Sequence, residues 1–89
     1  MIDQRLREKL EELRAELRRA ETTDEREREM LRGLAADVEG LISLGGDRPQ
    51  QYESLGGRLR EAVAQLEASH PAATLLMRQV IDSLAYMGI

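Results

Sequence analysis

Cysteine, tryptophan and phenylalanine are absent from this chain, and tyrosine occurs twice, at Tyr52 and Tyr86. Without cysteine there are no disulfides, no thiolate zinc site and no cysteine nucleophile; this fits a reducing compartment. Without aromatic bulk, a core has to be assembled from Leu, Ile, Val, Met and Ala. Two tyrosines are too few for a base-stacking platform, and both read as amphipathic residues at the rim of a core or interface. Histidine occurs once, as His70, so one chain holds no cluster of His ligands. Long apolar runs are also missing. No stretch reaches the roughly 18 residues that a membrane-spanning helix needs, and Met1-Ile2-Asp3-Gln4-Arg5 does not lead into the apolar core of a signal peptide. The expected location is therefore the cytoplasm, with no membrane association.

What is present is charge. Charged residues make up 34% of the 89, and the formal net charge is −4. An acidic chain lacks the surplus of Lys and Arg that phosphate contacts require, so no nucleic-acid partner is expected. All the basic residues except Lys9 are arginines. Arginine suits bidentate ion pairs, but a GC-rich genome gives the same bias, and that plainer reading takes precedence. The length allows one domain, residues 1–89, and not two. A core so thin in aromatics, in a chain this short, makes self-association a ready source of extra buried surface.

The pattern is helical throughout, with four helices expected at about 2–20, 24–44, 50–68 and 71–87. In the first, Ile2, Leu6, Leu10, Leu13, Leu17 and Ala20 recur three or four residues apart, which is one apolar stripe on a helix. The charges between them read as a solvated face rather than a partner-binding one. Asp3–Arg7, Glu11–Arg14 and Glu16–Arg19 have spacings that allow favourable pairs. Thr22-Thr23-Asp24-Glu25 interrupts: Thr22 with Glu25 fits a capping box, and Thr23 or Asp24 could cap instead. The second stripe is Met30, Leu31, Leu34, Val38, Leu41 and Ile42. Gly33 and Gly40 lie on one side of that helix, either to admit another backbone or as plain surface positions. Gly45-Gly46 should end it as a C-cap. The third stripe is Tyr52, Leu55, Leu59, Ala62 with Val63, and Leu66, with Gly56-Gly57 weakening its first turns.

Ser69-His70-Pro71 marks a tight junction. The residue before a proline is pushed out of the helical region, while proline itself suits the first position of a helix. The fourth helix differs from the others. From Ala68 to Ile89 the only Asp, Glu, Lys or Arg side chains are Arg78 and Asp82, and apolar residues cover far more than one stripe. Such a helix is either central to the core or a self-association surface. It does not suit a membrane surface, which would want a row of Lys and Arg. The fold class is thus all-α: two helix-turn-helix hairpins forming a four-helix unit that is expected to dimerise. The dimer contact would use helix four or the leucine stripe of helix one.

Chemistry is sparse. His70 is expected to bond backbone groups at the helix junction through its imidazole, and Ser69, beside it, is expected to be a helix-end residue. Most carboxylates lie on charged helix faces. Glu67, three residues before His70, is spaced to contact it at the end of helix three, but the plainer reading there is a helix C-terminus that favours a cationic His. No catalytic, cofactor-binding or metal site is assigned, and no enzyme activity is expected.

Leu66-Glu67-Ala68-Ser69-His70-Pro71, followed by an apolar helix ending Leu84-Ala85-Tyr86-Met87-Gly88-Ile89, resembles a family of short bacterial proteins catalogued as domain of unknown function 4404. The leucine-rich first helix and the Leu31, Leu34 and Asp37-Val38 pattern are similar to it too, so the resemblance covers nearly the whole chain. Leu66 departs from it, since an aromatic is usual there. The resemblance implies a small helical bacterial protein and brings no activity and no functional residue with it. The expected function is a protein–protein interaction or structural module, binding itself as a homodimer or binding another helical protein through apolar, coiled-coil-like seams. Leu76, Val80, Leu84 and Met87 are its candidate interaction residues, with plain core as the competing reading. The alternative is a metal-dependent protein or enzyme using His70 and Glu67 across an oligomer axis.

Overall fold

A stripe of leucines on an otherwise charged segment can leave water only along one side of a helix, so it needs a partner surface. In the computed structural model, which describes residues 4–44 and 49–86, four helices supply that surface to one another. They are α1 (Gln4–Arg19), α2 (Glu25–Leu44), α3 (Pro49–Leu66) and α4 (Pro71–Tyr86). No strand occurs among the described residues. The Gly45-Gly46 cap lies outside those residues.

The helices pack as a ring: α1 on α2, α2 on α3, α3 on α4, and α4 back on α1. Helices α1 and α3, and likewise α2 and α4, face each other diagonally. With short connections this is an up-down-up-down four-helix bundle. Its dimensions are 37 × 21 × 20 Å and its radius of gyration is 12.1 Å, the value a compact chain of this length should have. No described helix is long and apolar enough to cross a membrane.

The core is the sum of the four stripes. Leu6, Leu10, Leu13 and Leu17 come from α1 and Leu31, Leu34, Val38, Leu41 and Ile42 from α2. Tyr52, Leu55, Leu59, Ala62 and Leu66 come from α3, and Ala73, Met77, Val80 and Leu84 from α4. Tyr52 is therefore core rather than rim. Burial of each large aliphatic side chain is worth about 1.5–3 kcal/mol relative to exposure, which compensates for the lack of aromatic bulk. The leucine stripe of α1 is consumed inside the chain, and this removes it as a dimer contact.

Local signals set the ends. Asp24 is the N-cap of α2: its Oδ1 accepts hydrogen bonds from the backbone N–H of Arg26 at 2.8 Å and of Glu27 at 3.2 Å. The Thr22–Glu25 capping box does not form. Thr22 Oγ1 instead accepts from the Asp24 N–H at 3.1 Å, shaping the turn that leads into the cap. At the other junction the His70 N–H reaches Leu66 O at 2.8 Å, and His70 O accepts the Thr74 N–H at 3.1 Å. Pro71 then takes the first helical position, where its missing N–H costs nothing. Thr74 is buried, and its hydroxyl is satisfied by Pro71 O at 3.1 Å.

Ion pairs decorate the outside. Arg7–Glu11 and Glu16–Arg19 run along α1, so Glu11 pairs with Arg7 and not with Arg14; Asp3 lies outside the described residues. Arg58–Asp37 at 2.5 Å joins α3 to α2. Arg18 pairs with Glu39. Arg18 is near the end of α1, while Glu39 is well past the middle of α2, so the first hairpin is staggered rather than flush. The connection 20–24 takes up that stagger by running alongside α2.

Candidate functional site

Packed antiparallel on α2, α3 runs back so that its end and the α3–α4 junction lie beside the first turn of α2, and the chemistry-bearing side chains gather there. Glu27 stands three residues after the Asp24 cap. Its Oε1 accepts from the Thr22 hydroxyl at 3.0 Å and lies 3.0 Å from His70 Nε2. Its Oε2 accepts from the Ser69 hydroxyl at 3.1 Å. The His70 side chain is 11% exposed and that of Glu27 24%. Since an ionised carboxylate can only accept, His70 Nε2 must carry a proton to bond it. The Thr22 hydroxyl holds the Glu27 carboxyl below its ordinary range; burial opposes it, and the His70 and Ser69 bonds add smaller lowering effects.

Two expectations are corrected by this geometry. His70 occupies the junction with its backbone, but its imidazole crosses to a carboxylate on α2 rather than bonding backbone groups. Glu67 is not its partner: Glu67 accepts from Arg78 of α4 at 2.7 Å, with both side chains about half exposed. The pairing on which a His70–Glu67 metal or catalytic site would rest is absent within the chain.

What can the cluster do? Ser69 and His70 address the two oxygens of one carboxylate. A nucleophile relay needs the hydroxyl on an imidazole nitrogen, with the carboxylate behind the ring. Here the carboxylate stands between them, so it would hold both groups in place and could not pass a proton from serine to histidine. Among the described residues no group of three or more His, Asp or Glu side chains is arranged to hold a metal ion. The cluster is a latch. It ties the α3–α4 junction to the start of α2, adding a link where α4 itself, diagonal to α2 in the ring, makes no helix contact with it. An open groove of about 860 Å³ adjoins it, lined by Arg18, Thr22, Arg28, Leu31, Arg32 and His70 among others. Arg28 also donates to the Thr22 carbonyl at 3.0 Å.

The second site is the outer face of α4. Of the four expected interaction residues, Val80 and Leu84 are buried core, Leu76 is partly buried against the core, and Met87 lies outside the described residues. Among the described residues the large apolar side chains that stand exposed are Leu75, 55% exposed, and Tyr86, 87% exposed. Ala72, Asp82 and Ala85 are exposed as well. Leu75 was legible as an outward residue once the core line Ala73, Met77, Val80, Leu84 is drawn, because it stands on the opposite side of that helix. Thr22, five residues before Glu27, is a local partner; nothing local could have named its meeting with Ser69 and His70, which lie more than forty positions away along the chain.

No curated protein and no solved structure matches this chain. The family described as Domain of unknown function (DUF4404) matches residues 6–89. That span takes in all of α2, α3 and α4, the latch and both outward residues of α4. The chain belongs to the DUF4404 family.

Proposed function

We propose that this protein is a helical interaction module whose docking surface is the outer face of α4. The observation that carries the reading is the exposure of Leu75 and Tyr86 on a helix whose only charged side chains are Arg78 and Asp82. Exposed positions of α1, in contrast, are mostly charged. An apolar residue left in water on one helix gains about 25 cal/mol for each Å² that a partner covers. On this reading the chain works in the cytoplasm, alone or with another helical protein, and is not an enzyme. The interaction residues are Leu75 and Tyr86, with Leu76 at the edge; Val80 and Leu84 support them from the core.

The test is a photo-reactive amino acid placed in living cells at position 75, at position 86, and at Gln65 on the exposed side of α3 as a control. Protein adducts from 75 and 86 but not from 65 are expected. Adducts from all three positions alike, or from none, would overturn the reading.

A further inference from the structure

One line along the outer side of α4 follows a repeat, with Gln79 half-buried in it and its other four residues exposed. Ala72, Leu75, Gln79, Asp82 and Tyr86 are spaced alternately three and four residues apart. This is the seam spacing of a two-helix coiled coil. It lies opposite the core line Ala73, Met77, Val80 and Leu84, so α4 carries one stripe inward and a second outward.

Resting on the interaction reading above, we infer that the occupant of this seam is a second copy of the same chain, with the two α4 helices antiparallel about a two-fold axis. Such an axis between Val80 and Ile81 is the one that makes the stripe complementary to itself. It sets Leu75 against Tyr86 of the partner subunit, at both ends of the seam. It sets Gln79 against Asp82 of the partner subunit, twice, in the middle. Leu75 and Tyr86 are about 16 Å apart along the helix at 1.5 Å per residue. In a parallel pair Asp82 would meet Asp82 of the partner subunit directly, which like charges oppose. The antiparallel register replaces that clash with an amide–carboxylate hydrogen bond, which is charge-assisted. Gln79 forms it through its amide N–H, since a carboxylate accepts and does not donate; its buried Oε1, which has no hydrogen-bond partner in the chain, is not the atom that pairs. A two-fold contact of this kind is closed, so association stops at two chains.

One helix face against another is a small interface. Dimerisation should therefore depend on concentration, with a polar centre that fixes register at some expense of affinity. The chain has no cysteine, so introduced thiols report on register alone. Leu75→Cys and Tyr86→Cys chains are mixed at high concentration and oxidised, each also being oxidised alone, and solution mass is followed by light scattering. The expected result is a disulfide between the two different variants, little linkage within either one, and an unmodified chain whose mass rises from 10.1 kDa toward twice that value. Asp82→Leu, which replaces the polar centre with an apolar one, should shift the midpoint of association to at least tenfold lower concentration. Linkage chiefly of 75 to 75 and 86 to 86 would overturn the antiparallel register. A mass that stays at 10.1 kDa at every concentration, with no linkage, would overturn self-pairing. Adducts to a different protein from position 75 in cells would then leave the interaction reading standing, and their absence would remove both.

Discussion

Gly33 and Gly40 show what a single residue can cost without serving a contact. A methyl group added at either position meets nothing within 4 Å, so neither admits a neighbouring backbone. Both lie inside α2, where glycine is about 0.8–1 kcal/mol less favourable than alanine. Gly33→Ala and Gly40→Ala should each raise stability by about 0.5–1 kcal/mol, a rise in melting temperature of roughly 4–8 °C per kcal/mol for a domain of this size, read by thermal circular dichroism. Glu27 makes the opposite case, a residue held by its surroundings. Its folded-state pKa is depressed below the ordinary 4.5 chiefly by the Thr22 hydroxyl, with His70 and Ser69 adding to it. The unfolded chain therefore binds this proton more readily than the folded one. The stabilisation is complete above about pH 4.5 and is lost as pH falls through that value toward the depressed one. Urea titrations between pH 3 and 7 should show a steeper acid loss in the wild type than in Glu27→Gln, which cannot ionise. Equal slopes would mean that the latch does not hold the charged carboxylate.

Each helix is legible in the sequence to the degree that its stripe is clean. The apolar positions expected for α1, α2 and α3 are the ones found buried or packed against the core, apart from Ile2, which lies outside the described residues. Period alone was enough, because a single stripe leaves no choice of face. In α4 the stripe is blurred by apolar residues all round, so the sequence places the helix but not its orientation. Val80 and Leu84 face inward and Leu75 outward, a division made by where α1 and α3 pack. The caps follow the same logic: several capping residues in a row leave the choice to geometry, and Asp24 wins because its Oδ1 reaches two of the free N–H groups of the first turn, those of Arg26 and Glu27. Asp24→Ala should then lose about 1 kcal/mol, while Thr23→Ala, at an exposed position, should cost far less. Chemical denaturation of the pair checks this directly. A core position gives the larger contrast: Met77→Ala, at a fully buried site, should cost about 2–5 kcal/mol, whereas Leu75→Ala should leave the stability of the dilute chain within about 0.5 kcal/mol.

At the scale of the whole molecule, a closed ring of four helices satisfies its own core, and among the described residues the large apolar side chains left exposed, Leu75 and Tyr86, are on the outer face of α4. If that face pairs with a second chain, folding and association are linked. Any species that binds only the folded state stabilises it in proportion to the logarithm of its concentration, and here that species is the protein itself. The melting temperature of the wild type should therefore rise with protein concentration. Leu75→Arg puts a charge into the seam while disturbing little of the monomer, since Leu75 is 55% exposed. Its melting temperature should be flat with concentration and should equal the value the wild type approaches on dilution. Calorimetry over a hundredfold range of concentration separates the cases. A wild-type melting temperature that rises while that of Leu75→Arg does not assigns the dependence to the α4 seam. Two flat, coincident series mean that the ring is self-sufficient and the seam empty in a solution of this chain alone. Two series that rise together mean that association uses some other surface, because the seam cannot survive a cation at position 75.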